Sequence, residues 1–438
     1  MISYHIGIDS TDSADLGMCT TYLGAVLLER ISTLDVKLIS YPELVRLNPN
    51  VPWKTRGNGA IYLGYEGPGD VEKALIGEVE KVIEELSVFD DPQTNPGMVV
   101  LKGEIGDDLR SFYHRTLHRI IDVDDALNVA EANGAYSRGW KNKMGVIGAL
   151  AAVGADLKAH TFEAILYRPG AVKERKRSVD AMSLRDASLN HPGTFFNVDK
   201  DGDPVCIPHS PCPVILGIRG IDPRDTLEAL GQVKVVGFER WVLWKTNQHT
   251  DAHIESIDDL SFAEPLSSIT TEVTISGTPE YISGGHLITG CRDKEGNTAD
   301  IAAYEPTKGF RKLLSRLLAG DRGRIWGSVR TDNVPHRTIN LEKIEVLELG
   351  RNTVMEHPRC PKCSGATESM GKGQGLRCKK CRYRGSDLVP VERELARDIE
   401  PGLIEPPPDA WRHLFKPSSI PIIEEKEYNG PFWGLEKP

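Results

Sequence analysis

Two pairs of cysteines limit what this chain can fold into more than any other feature of it. Cys360-Pro361-Lys362-Cys363 and Cys378-Lys379-Lys380-Cys381 each set two thiols one tight turn apart, with fourteen residues between the pairs. Two such knuckles complete a tetrahedral Cys₄ shell, and because protein fills every position the Zn²⁺ is structural. Redox chemistry is the competing use of one Cys-x-x-Cys, and a second copy at this interval argues against it. The spacing predicts a zinc ribbon over 351–390, held by Cys360, Cys363, Cys378 and Cys381. The other cysteines, at 19, 206, 212 and 291, are too scattered for a disulfide framework.

A chain of 438 residues exceeds one ordinary core and predicts several domains. No apolar run approaches the ~20 residues of a membrane span. The start of the chain has no basic stretch followed by an apolar one. A cytoplasmic monomer without a membrane partner is expected. Net charge is −10, yet 306–384 carries 18 Lys/Arg against 7 Asp/Glu, which leaves −21 on the remainder. A basic block inside an acidic chain is the footprint of a nucleic-acid-binding face.

That block begins in a segment of short strands and glycine turns. Strands are predicted at 269–276, 285–291 and 298–304, a helix at 310–318, and two more strands at 324–330 and 339–349. Three strands, a helix and two strands is the element order of an OB-fold, here over 266–350. Such barrels bind single-stranded nucleic acid through cations and aromatics. Arg322, Arg324, Trp326 and Arg330 are candidates for that work. Lys379, Lys380 and Arg382 on the ribbon are candidates for phosphate contacts. A tail over 391–438 is acidic and proline-rich, with Trp411, Phe415, Phe432 and Trp433 as apolar anchors.

At the amino end, Ile2, Tyr4, Ile6 and Ile8 alternate and stop at Asp9, which reads as a strand carrying its polar load at its carboxyl end. Leu23, Val26 and Leu27 then follow a helical period, with Thr20 or Thr21 placed to cap it. Amides at a helix start favour phosphate, and Asp9 and Asp12 are hard oxygen donors suited to the Mg²⁺ that accompanies ATP. Arg46, Lys54 and Arg56 lie in a proline- and glycine-punctuated stretch and are candidate phosphate ligands. Lys143 and Gly145, at the start of a glycine-rich helix, form a further candidate cradle, although close helix packing would also explain the glycine. Strand, helix, strand recurs at 60–101 and 214–244, and two such units make a split ferredoxin-like domain.

The runs GIDSTDS and GMCTTYL near the amino end, LVRLNPNVPWKTRGNGA at 44–60 and ERWVLWKTNQHTDAH at 239–253 resemble the archaeal tRNA(Ile2) 2-agmatinylcytidine synthetase family. The barrel and ribbon follow in that family's order. The resemblance implies an α+β multidomain chain: a kinase-like domain (1–59 and 104–207) interleaved with a ferredoxin-like domain (60–103 and 208–265), then the OB-fold and the ribbon. It implies an ATP-dependent ligase that phosphorylates C2 of the wobble cytidine of tRNA(Ile2) and joins agmatine there. Asp9 and Asp12 would hold metal and ATP, and Thr20 matches the threonine phosphorylated in the family. Ser10 stands where the family motif usually has a second aspartate, with Asp15 as the nearest substitute. The alternative is a non-catalytic RNA-binding protein, which explains the basic block but leaves the amino-terminal motif idle.

Overall fold

The apolar positions of the first strand are buried, Tyr4, Ile6 and Ile8 each at most 1% exposed, and so are His5 and Gly7 between them, because the strand is covered on both faces. A computed structural model describes residues 1–170, 176–330, 337–421 and 428–438. It divides into two units. One comprises 1–256, 264–269 and 407–438, and the other 257–263 and 270–406.

The first unit runs β1 (Ile2–Asp9), α1 (Thr20–Ile31), β2 (Lys37–Leu38), β3 (Glu43–Arg46), β4 (Gly59–Gly67), α2 (Glu72–Leu86), β5 (Gly97–Lys102), α3 (Asp107–His118), α4 (Val123–Ala132), β6 (Tyr136–Gly139), α5 (Gly145–Gly154), β7 (Thr161–Tyr167), α6 (Ala181–Asn190), β8 (Val214–Gly220), α7 (Pro223–Gln232), β9 (Arg240–Thr246) and β10 (Ile254–Ser256). Its main sheet has the order β6-β5-β1-β4-β3-β9-β7-β8. On one face α1 and α2 bury Leu23, Leu27, Leu75 and Val79 against Ile6, Ile61 and Trp244. On the other, α3, α4 and α5 bury Phe112, Ala126, Val146 and Ala149 against Val99 and Ala60.

Both expected strand-helix-strand units form, but they do not pair with one another. β4 and β5 flank β1 antiparallel, and β8 and β9 flank β7 antiparallel. The segment 60–103, assigned from sequence to the same domain as 208–265, is thus hydrogen-bonded to the amino-terminal strand instead. The two groups meet where β3 lies parallel to β9. β3 falls in a stretch read from sequence as loop. Leu44 and Val45, 2% and 0% exposed, repay the backbone ordering that the surrounding prolines and glycines disguise.

α5 lies directly on this sheet because small residues let backbones touch. Any side chain at Gly145 would strike the backbone of Asn95, Pro96 and Gly97. The helix α1 begins at Thr20 with Cys19 as its N-cap, one residue earlier than the expected threonine cap, and the Cys19 side chain makes no capping bond.

In the second unit β11 (Ser268–Ile275), β12 (Glu280–Tyr281), β13 (Leu287–Arg292), β14 (Thr298–Ala303), α8 (Gly309–Leu314), β15 (Arg322–Val329) and β16 (Arg337–Glu348) appear in the predicted order. Five of them close a barrel, β11-β15-β16-β14-β13, sealed by β13 pairing with β11. β17 (Thr353–Glu356) pairs with β20 (Val391–Glu394), and the ribbon's β18 (Thr367–Ser369) pairs with β19 (Leu376–Cys378). β21 (Gly402–Ile404) adds to β16. The described parts of the tail, 407–421 and 428–438, belong to the first unit, where β22 (Trp433–Gly434) extends the sheet beside β9. Among the described residues no helix is long and apolar enough to cross a membrane.

Candidate active site and metal centre

Asp9 is the last residue of β1, and the chain turns away through Ser10 at φ 60°. The turn brings Asp12 back beside Asp9 at one wall of a cavity of about 480 Å³. Asp9, Ser10, Asp12 and Thr20 line it from the first turn, Arg46, Trp53, Lys54 and Arg56 from the next segment, and Glu163, Arg219 and His413 from far along the chain.

The two aspartates are not equivalent. Asp9 receives the Ser10 amide at 2.6 Å, and its carboxylate lies against Gly148, where a side chain would collide with it. Burial, only partly offset by that amide and reinforced by the charge of Asp12, pushes Asp9 up to about 7. A sunken carboxylate without its own countercharge is a fit for a divalent cation. Asp12 accepts from Thr55 Oγ1 at 3.2 Å and is ion-paired with Arg56. Arg56 also donates to the Met18 carbonyl at 2.6 Å and to Ser210 Oγ at 3.2 Å. Burial opposes the Arg56 charge, but Asp12 together with the thiols of Cys19 and Cys212 outweighs it, and the guanidinium is held more firmly protonated.

Arg46 is pinned through its backbone: its N–H donates to Asn247 Oδ1 at 2.7 Å, and its carbonyl accepts from Asn247 Nδ2 at 2.9 Å. Its Nε is buried without a hydrogen-bond partner, and burial lowers its pKa with Glu163 as the main offset. Lys54 donates to the Val51 carbonyl at 3.0 Å. Thr20, 5% exposed, accepts from Thr11 Oγ1 at 3.0 Å. Carboxylates for a cation, guanidiniums for phosphate oxygens and uncapped amides at the start of α1 share one cavity. That is the equipment of an enzyme that handles phosphoryl groups.

Two candidates lie elsewhere. Lys143 is exposed beside Gly139, and Gly145 serves helix packing, so neither is among the lining residues. Asp15, the expected substitute for the missing aspartate, sits exposed in the turn, while Ser10 Oγ accepts the Asn95 amide at 3.1 Å. Sequence reasoning missed Arg219, Glu163 and His413. A carboxylate inside the apolar strand Thr161–Tyr167 was the available signal for Glu163, and none existed for His413.

In the second unit, Arg322, Arg324 and Trp326 alternate with buried Gly323, Ile325 and Gly327, so they share the outer face of β15. Arg322 pairs with Glu348 at 3.2 Å and Arg324 with Glu272 at 2.7 Å. Trp326 faces the Lys343 ammonium at 5.5 Å, and Arg330 packs over Tyr304 at 5.8 Å. Lys379, Lys380 and Arg382 are exposed around the second knuckle. The sulfurs of Cys360, Cys363, Cys378 and Cys381 all lie within 4.8 Å of one another, with Cys360–Cys381 at 3.6 Å and Cys363–Cys378 at 3.5 Å. Such a thiol cluster fits tetrahedral zinc.

Comparison with known proteins agrees over nearly the whole length. Three family profiles match: the TiaS TCKD domain over 5–142, the TiaS FLD domain over 143–253 and the TiaS C-terminal zinc ribbon domain over 357–399. The tRNA(Ile2) 2-agmatinylcytidine synthetase TiaS of Methanosarcina acetivorans is 41% identical over 97% of this chain and 98% of its own. That of Archaeoglobus fulgidus is 39% identical over 94% of this chain and 96% of its own. Crystal structures of a TiaS-tRNA(Ile2)-ATP complex (TM-score 0.86, 37% identity) and a TiaS-tRNA(Ile2)-AMPCPP-agmatine complex (TM-score 0.84, 36% identity) each superpose on 97% of this chain and 100% of their own. The chain belongs to the tRNA(Ile2) 2-agmatinylcytidine synthetase family.

Proposed function

We propose that this chain is an ATP-dependent ligase that activates C2 of the wobble cytidine of tRNA(Ile2) and joins agmatine to it, so that the anticodon reads AUA. The observation that carries the reading is the single cavity that gathers Asp9, Asp12, Arg46, Arg56 and Thr20 in a chain aligned end to end with such synthetases. The C2 oxygen of cytidine is a poor leaving group. Transfer of the ATP γ-phosphoryl to it makes phosphate the leaving group, and a primary amine then forms the C–N bond as the C–O bond breaks. Asp9 and Asp12 would hold Mg²⁺, which when bound neutralises charge on the triphosphate. Arg46 and Arg56, which line the same cavity, orient phosphate oxygens. Thr20 is the protein hydroxyl placed to take label from ATP.

The outer face of β15 and the second knuckle supply cations and an indole for the RNA. The base must leave its stack to be reached. The test incubates the protein with [γ-³²P]ATP, agmatine and tRNA(Ile2). Label in RNA and at Thr20, together with agmatine incorporation, is the expected outcome. RNA binding with neither would leave the binding module as the function.

A further inference from the structure

The acidic turn carries a hydroxyl that the reading above does not use. Thr11 stands between Asp9 and Asp12 in the run GIDSTDS, is 0% exposed and does not line the cavity. The chain on both sides of it is stapled to the segment that joins α2 to β5. Val88 N–H donates to the Thr11 carbonyl at 3.1 Å, Thr94 Oγ1 to the Asp12 carbonyl at 2.7 Å, and the Asn95 amide to Ser10 Oγ at 3.1 Å. Ser13 N–H closes the turn on the Gly17 carbonyl at 2.9 Å. Thr94 and Ser13 are as buried as Thr11. Bonds on either side, out of water, make the Thr11 side chain a fixed point from which a neighbour can be oriented.

That neighbour is Thr20. Thr11 Oγ1 lies 3.0 Å from Thr20 Oγ1, and among the described residues the Thr11 side chain has no other hydrogen-bond partner. A buried hydroxyl has to place its hydrogen on an acceptor. Thr11 is therefore the donor, and its hydrogen occupies one lone pair of the Thr20 oxygen. Thr20 keeps its own hydrogen and a second lone pair, and it lines the cavity. As the first residue of α1, Thr20 has no helical carbonyl one turn behind it to hold its rotamer. The bond from Thr11 holds it instead.

We propose that Thr11 is a positioning residue for Thr20, keeping the acceptor oxygen in the rotamer that meets the terminal phosphate of ATP. The inference rests on the reading of Thr20 as a phosphoryl acceptor given above. In that step Thr20 Oγ1 forms a bond to the γ-phosphorus while the bond from that phosphorus to the β–γ bridging oxygen breaks. ADP departs with the electron pair, and the Thr20 hydroxyl proton passes to water. Because Thr11 lies outside the cavity lining, it acts only on where the acceptor oxygen sits. Placement of the nucleophile governs the rate of transfer and leaves nucleotide binding alone.

The test measures the initial rate at which label appears on Thr20 in the full-length protein supplied with [γ-³²P]ATP, tRNA(Ile2) and agmatine. Thr11→Val keeps the shape and removes the hydroxyl, whereas Thr11→Ser keeps the hydroxyl. Loss of one neutral hydrogen bond should slow labelling by about 5- to 10-fold at saturating ATP in Thr11→Val. The ATP concentration for half the maximal rate should stay within about twofold of that of the unaltered protein. Thr11→Ser recovers most of the rate. Thr11→Ala, with the same expectation, stands in if Thr11→Val fails to fold. An unchanged rate in Thr11→Val, a loss confined to half-saturation, or an equal loss in Thr11→Ser overturns the proposal. If the unaltered protein joins agmatine to tRNA but takes no label at Thr20, the acceptor role and this proposal fall while the ligase reading stands. If it does neither, the ligase reading falls as well.

Discussion

The zinc ribbon and the cavity both crowd ionisable groups together, yet they are assembled in opposite ways. The ribbon takes four identical ligands from 22 consecutive residues, 360–381, on a hairpin of three-residue strands. The cavity takes unlike groups from positions as far apart as Asp9 and His413, on a sheet ordered by strand pairings that cross the chain. The ribbon has little core of its own and depends on its ion. The cavity has a large core beneath it and can keep its charges in place without ligand. The difference should show in what each region loses when a charged partner is removed.

The largest effect is expected at the ribbon. Structural zinc in small domains contributes on the order of 10 kcal/mol to folding. Cys378→Ser, or strong chelation, should abolish bound zinc by mass spectrometry and expose amides of β18 and β19 to hydrogen exchange, while amides of β1 and β4 keep their protection. Equal loss of protection in both regions would erase the contrast. Next comes Asp12→Ala, which strands the Arg56 guanidinium and removes a proposed cation ligand. A fall in label transfer of about 100-fold or more is expected, with β1 still protected. A change within about threefold would place the chemistry elsewhere.

Sequence legibility follows the same contrast. The ribbon could be read because all its information lies in one spacing, and the barrel because its strands occur in the order of its fold. Asp9, Asp12, Arg46 and Arg56 could be named because local pattern puts acids at a strand end and cations in a nearby turn. Their grouping could not, because β3 was masked by the prolines and glycines around it, and β3 is the strand that joins β4 to β9. Lys143 and Gly145 are hard to read for a related reason: a glycine pair opening a helix looks the same whether it meets phosphate or packs closely on backbone, as Gly145 does on Asn95, Pro96 and Gly97. The charge count at 306–384 missed Glu272, which lies outside that window and pairs with Arg324.

Two intermediate effects sharpen the comparison within the cavity. The folded-state pKa of Asp9 is raised from 3.8 to about 7, so the native protein binds its proton more tightly than the unfolded chain does. Without divalent cation, stability is therefore greatest below pH 4 as far as this group is concerned. It falls as pH rises toward 7, by a few kcal/mol at most, on the order of 1.4 per unit. Asp9→Asn should flatten the denaturation midpoint across that window, and an unchanged profile would mean that the carboxylate is solvated. Gly148→Ala tests the same contact sterically. Its methyl would strike the Asp9 carboxylate, and a cost of about 1–3 kcal/mol is expected for an overpacked site, together with weaker nucleotide binding.

The smallest effect is expected at Arg324. Its pairs with Glu272 at 2.7 Å and Glu345 at 3.7 Å lie on an exposed barrel face, with the arginine side chain 44% accessible. Such pairs contribute about 0–1 kcal/mol to folding, so Arg324→Ala should leave the melting temperature nearly unchanged. If the face meets RNA phosphate, the arginine exchanges a carboxylate for a phosphate oxygen on binding. The slope of log affinity against log salt should then drop by about 1. Glu272→Gln, which frees the arginine, should move affinity the opposite way at low salt. A slope unaltered by either change would make Arg324 a purely structural ion pair and shift the RNA contact toward Lys379 and Lys380 on the ribbon.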